Sequence, residues 1–188
     1  VAAFLMRIGD TEGAAPLWEK LLNVRGRTED EAAAKRMLAL CLATSRDRAT
    51  AQRGLLLLGI TDPVTAGTPI GGESPDDLRV RALVLAAMPG RKTREAAVTL
   101  LEGLETKAPL SAEELFLLGR LYAILGDWHR ARVRLTAAAS AEESNQLYTA
   151  QLVMAQIRVG DAAGAARSAD KLVAASPDSL KAVEFRAR

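Results

Sequence analysis

Few side chains in this 188-residue sequence are of the kinds that do chemistry, and their spacing keeps them apart. His129 is the only histidine; it follows Trp128 at a helix start, with no Ser or Cys placed to use it as a base. Cys41, the only cysteine, sits in the apolar run Met37-Leu38-Ala39-Leu40-Cys41-Leu42, the setting of a small buried residue rather than a reactive thiol. Alone, it excludes an intramolecular disulfide and a multi-cysteine metal site. Glu113-Glu114 and Glu142-Glu143 are neighbours on helices, where adjacent side chains diverge and cannot share a substrate. They read as favourable charge at a helix start or as solvated surface. The stretch from Gly67 to Gly72 lacks the Gly-Lys-Ser/Thr of a phosphate loop. No catalytic residue, cofactor or metal ligand is expected, and the chain is expected not to be an enzyme.

Composition narrows the remaining classes. Apolar residues make up 49% of the chain, charged ones 26% and aromatics only 4%. A core short of aromatics must be closed by Leu, Ala and Val, which suits closely packed helices better than a β-sandwich. Net charge is +2, and the 19 Arg and 6 Lys are scattered among carboxylates, so composition gives no nucleic-acid footprint. No apolar run approaches the roughly 18 residues that span a bilayer. A cytoplasmic location is the expectation, and the helical character at both ends suggests a piece of a longer array.

The elements follow from punctuation and period. Apolar residues at helical spacing predict helices over 1–8, 12–24, 29–44, 47–59, 76–88, 93–106, 112–125, 128–141, 145–158 and 162–175. An eleventh is expected from Ser176-Pro177-Asp178 onward. Gly9-Asp10, Gly126-Asp127 and Gly160-Asp161 read as helix stops followed by caps. Thr28 with Glu31, and Ser111 with Glu114, have the spacing of capping boxes. Inward residues are expected at Ala14, Leu17, Trp18, Leu21 and Leu22, then at Ala34, Leu38, Ala39 and Leu42. Ala51, Leu55 and Leu58 follow, and after them Ala97, Leu100, Leu101 and Leu104. Between 61 and 75 three Pro and three Gly without apolar period predict a loop, functional or disordered, long for a helical array.

Ala97, Ala131 and Ala165 are spaced by 34 residues, as are Gly126-Asp127 and Gly160-Asp161. Going back, Ala51 precedes Ala97 by 46 and Ala14 precedes Ala51 by 37, which one 34-residue period explains with two local insertions. Such a unit cannot bury its apolar face alone and must stack on copies of itself. The expected repeats are a half repeat at 1–28, then 29–62, 78–111, 112–145 and 146–179, and the start of another at 180–188.

The clearest copy reads Leu115-x2-Leu118-Gly119-x2-Tyr122, then Gly126-Asp127, then Ala131-x3-Leu135. This resembles the tetratricopeptide repeat, whose pattern is Trp-x2-Leu-Gly-x2-Tyr, then Ala-x3-Phe, then Pro. It departs at Leu115, Leu135 and Glu143. The copy from 146 keeps Leu152, Gly160, Asp161, Ala165 and Pro177 but has Val153 for Gly and Gln156 for Tyr. The resemblance implies an all-α, right-handed superhelix (solenoid) of antiparallel helix pairs. It also implies a protein–protein interaction scaffold, with partners held on a concave face made by the first helix of each repeat.

On that face the resemblance places Arg36 and Leu40, then Arg79, Ala82 and Ala86. Further along come Glu113, Phe116, Arg120 and Ala123, and then Leu147, Ala150, Met154, Ile157 and Arg158. An apolar floor with arginines would suit an extended or helical peptide with apolar anchors and acidic residues. Leu147, Met154 and Ile157 read equally well as core between stacked repeats. The Lys and Asn pattern by which some family members clamp a C-terminal carboxylate is not visible. Two other readings stay open: a nucleic-acid-binding helical repeat, and a regulatory or sensor domain of a larger enzyme. End-to-end self-association through uncapped repeat faces is a further expectation.

Overall fold

The computed structural model describes residues 1–23, 28–45, 47–63, 65–68 and 73–175. Among these residues there are ten helices and no strand. They are α1 (Ala2–Arg7), α2 (Thr11–Leu22), α3 (Thr28–Ala43), α4 (Arg48–Leu57), α5 (Pro75–Ala87), α6 (Arg91–Glu105), α7 (Ala112–Leu125), α8 (Trp128–Ala141), α9 (Gln146–Arg158) and α10 (Ala162–Ala175). The expected helix after Ser176 and the Arg25–Thr28 turn fall outside the described residues, as does the Thr28 side chain. The chain forms two compact units, Val1–Ala108 and Pro109–Arg188.

In the second unit α7 pairs with α8 and α9 with α10, while α9 also lies against α8. The ends of these helices are set locally. The Ser111 hydroxyl accepts from the Glu114 amide at 3.2 Å while the Ser111 amide donates to the Glu114 carboxylate at 2.7 Å, closing the expected capping box. At the other end Gly126 takes φ +93°, a left-handed conformation that a side chain would strain. Asp127 then turns back, and its carboxylate accepts from the Arg130 amide to start α8. Gly160 and Asp161 do the same between α9 and α10, and Gly9 and Asp10 between α1 and α2.

Close approach of α7 and α8 depends on one missing side chain. A Cβ on Gly119 would stand 2.7 Å from Leu135 Cγ and 3.2 Å from the Leu135 backbone nitrogen. In the next pair Val153 occupies the first helix, and Ala165 and Ala169 are the small residues in its core cluster on α10. Leu118, Leu121, Leu135 and Tyr122 complete the core of the first of these pairs.

In the first unit α2, α3 and α4 pack in succession, α5 pairs with α6, and α3 lies directly against α5. Leu38, Leu55, Ile60, Leu78, Val84, Leu85, Leu100, Leu101 and Leu104 are among its fully buried large residues. Six inward expectations are corrected. Leu21 is exposed, and Leu17, Trp18, Leu22, Ala51 and Leu58 are only partly covered. Leu58 lies past the end of α4, where Gly59 at φ +70° folds the chain back. Ile60 takes the buried place instead, its amide donating to the Leu55 carbonyl at 3.0 Å.

Candidate functional site

The first helices of the second unit, α7 and α9, are joined by an aromatic stack. The rings of Phe116 and Tyr148 lie 4.4 Å apart at 26°. Phe116 is therefore only 9% exposed, and its role as an open anchor is corrected: it glues α7 to α9 and is covered by Arg120, whose guanidinium sits 5.8 Å from its centroid. Burial, followed by the charges of Glu142 and Glu113, pushes the Tyr148 hydroxyl above its ordinary pKa, so it stays neutral.

Around that stack the predicted face is partly open. Leu147 is 56% exposed and Ile157 37%, which places neither in a core. Ala123 and Met154 are half-buried, as is Ala150, which packs against the Val153 core cluster. Glu113 and Arg120 are exposed. Arg158 stands apart from this group, over the Trp128 ring at 5.3 Å, beside the turn that carries exposed His129. Ile124, 53% exposed on α7, was not singled out from the sequence.

The predicted face of the first unit is not open in the same way. Ala82 is fully buried, so it is core and not surface. Arg36 is committed to α5: it donates to Asp77 at 3.0 Å and approaches Asp76 at 4.0 Å. Arg79 in turn donates to Asp76 at 3.0 Å. Burial would raise the Asp77 carboxyl, but the Ser74 hydroxyl and Arg36 outweigh it and hold Asp77 below the ordinary carboxylate range. These two arginines thus face carboxylates of their own chain, which offsets the charge they offer to an acidic partner. Leu40 and Ala86 are half-covered.

Sequence reasoning also missed Arg81, which is 2% exposed. Its guanidinium pairs with Glu73 and donates to the Ala66 carbonyl at 2.7 Å, tying the Pro/Gly-rich segment to α5. Ala66 and Gly67 are buried, and a Cβ on Gly67 would meet Ala96 Cα at 2.8 Å on α6. Ala66 and Gly67 thus anchor the described part of the loop, while Thr61, Asp62, Thr65 and Thr68 around them are exposed. The signal was present: Leu78, Arg81 and Leu85 share one helical stripe.

On a different face of α9 the second unit has a cleft of about 630 Å³ between α8 and α10. Its floor is Thr149, Leu152 and Gln156, and Arg167 and Lys171 form part of one wall. Gln156 is 8% exposed, and its Oε1 has no hydrogen-bond partner among the described residues. A buried acceptor left unmatched costs about 1–3 kcal/mol.

No group of three or more His, Cys, Asp or Glu among the described residues could hold a metal ion. No helix among them is long and apolar enough to cross a membrane.

Two solved structures match nearly the whole chain. TTC0263, described as a thermophilic TPR protein of Thermus thermophilus, aligns over 99% of this chain and 94% of its own, at 19% identity and TM-score 0.65. The fold is that of the tetratricopeptide repeat. YrrB, described as a TPR protein with an unusual peptide-binding site, aligns over 100% of this chain and 89% of its own, at 16% identity and TM-score 0.63. No family model and no curated protein sequence matches the chain. Within the tetratricopeptide fold, Gly119, Tyr122 and Ala131 fill the packing places that the resemblance assigned them, all buried.

Proposed function

We propose that this chain is a non-catalytic scaffold that holds a protein or peptide segment on the α7/α9 face. The observation that carries this reading is the exposure of Leu147 and Ile157 on α9 and of Arg120 on α7, first helices that Phe116 and Tyr148 join. A rigid face with solvent-facing aliphatic residues and one cation suits a segment with apolar anchors and an acidic neighbour. The description of YrrB as peptide-binding supports the same class of partner.

The test is affinity capture from an extract with the wild-type chain, Arg120→Glu and Leu147→Asp. Partners recovered by the wild type and lost from both variants support the face. Equal recovery by all three removes it as the site, and a salt-sensitive shift with single-stranded RNA would favour a nucleic-acid ligand instead.

A further inference from the structure

We infer that the cleft between α8 and α10 is a second binding site, and that it takes an extended, acidic peptide segment with a small aliphatic side chain. At the cleft the residue type changes within the repeat. Thirty-four residues before Thr149 and Gln156 stand Leu115 and Tyr122, and Tyr122 is buried. A hydroxyl and an amide thus line the floor in place of two larger side chains, and the cleft of about 630 Å³ falls within the usual range of roughly 300–1,000 Å³ for ligand sites.

The polar groups in that space select the ligand. Gln156 is more than nine-tenths buried, lines the cleft and has an Oε1 without a partner among the described residues, so the occupant must bring a donor. A helix has its main-chain N–H groups already satisfied within itself, whereas an extended segment presents them outward. The Thr149 and Ser168 hydroxyls, each nine-tenths buried or more, can turn to meet the same backbone. Leu152 and Leu172 supply the apolar spot in the lining against which an aliphatic side chain can rest. Arg167 and Lys171 are one turn apart on the α10 wall and exposed, and neither makes an ion pair among the described residues. Glu143 is the carboxylate of the lining and is outnumbered by these two cations, so charge complementarity asks for carboxylates on the α10 side of the segment.

The site is independent of the α7/α9 face. Leu147, Met154 and Ile157 project from a different side of α9 from Thr149, Leu152 and Gln156. Either reading can fail without the other.

The probes are short labelled peptides, each with one leucine or valine flanked by aspartates and glutamates, against the same peptides with lysines as the flanking residues. Fluorescence anisotropy is expected to show saturable binding of acidic members only. Gln156→Tyr, which restores the aromatic of the preceding repeat, and Arg167→Glu/Lys171→Glu, which changes only exposed residues, should each raise Kd at least about tenfold. Lys92→Glu, on exposed α6 surface, removes a charge elsewhere and should leave Kd unchanged.

Methylating the peptide amide beside the aliphatic residue should weaken binding to the wild type but add nothing to the loss in Gln156→Leu. A photo-reactive group at Ser140, on the opposite wall, should crosslink to the peptide. Absence of binding, equal affinity across the variants, or crosslinks to residues 176–188 or to a second copy would overturn the proposal.

Discussion

Gly119 on α7 and Leu135 on α8 touch so closely that a single methyl group does not fit between them. The neighbouring helix pair answers the same geometric demand with the sizes exchanged, Val153 on the first helix and Ala169 on the second. Gly119→Ala gains about 1 kcal/mol of helix propensity but forces an overpacked contact that costs about 1–3 kcal/mol. A net destabilisation is expected in urea unfolding. In a Leu135→Ala background the same substitution should become neutral or stabilising, because the obstructing side chain is gone. Equal effects in both backgrounds would remove the steric account.

Arg81 should be the costliest polar residue to change in the first unit. Arg81→Ala leaves Glu73 and the Ala66 carbonyl without their shared donor, a loss of about 3–5 kcal/mol by analogy with other broken buried pairs. Arg81→Lys keeps the charge but lacks the fork that reaches both acceptors, so it should rescue only part of the loss. Urea midpoints of the three proteins read this directly, and proteolysis within 61–75 should quicken in step with them.

Acid should act through Asp77. Its carboxyl is held below the ordinary range in the folded state, so its contribution is present above the unfolded value of about 3.9 and fades as pH falls through the lower folded value. The wild-type urea midpoint is expected to fall below about pH 4, and more steeply than that of Asp77→Asn. Parallel acid profiles would show that the Ser74 and Arg36 contacts contribute nothing to stability.

Cys41 should behave as packing and not as a thiol. Burial pushes its pKa up, and the residue is enclosed in α3. Its reaction with a disulfide reagent should follow the unfolding of the first unit, slow in buffer and fast in urea. Rapid reaction of the native protein would place it at the surface.

Legibility followed the chemistry of each signal. The bounds of α7, α8 and α10 match the sequence reading to the residue, because Ser111 and the Gly-Asp pairs carry their own hydrogen-bonding instructions. Leucines at positions such as 100, 101 and 104 were legible as core because period and burial coincide along a two-faced helix. The candidate face was less so. Surface and seam residues of a first helix share one apolar character, so Phe116 read as an open anchor until Tyr148 was seen to cover it. Arginine read as surface by default, which hid Arg81 and left the internal partners of Arg36 unseen. Loss of Tyr at position 156 was visible as a departure from a pattern, but only three dimensions turn a departure into a cleft.

The exchange of sizes between Gly119/Leu135 and Val153/Ala169 also bears on how a chain of look-alike helices avoids folding against the wrong neighbour. Were α7 to pair with α10, glycine would meet alanine and leave a hole. Were α9 to take the place of α7 on α8, valine would meet leucine where even a methyl group is excluded. Each correct pair thus carries a private key, and incorrect pairings are penalised at the first turn that closes. Chimeras that swap α8 with α10 should consequently lose cooperativity even though every exchanged residue remains apolar.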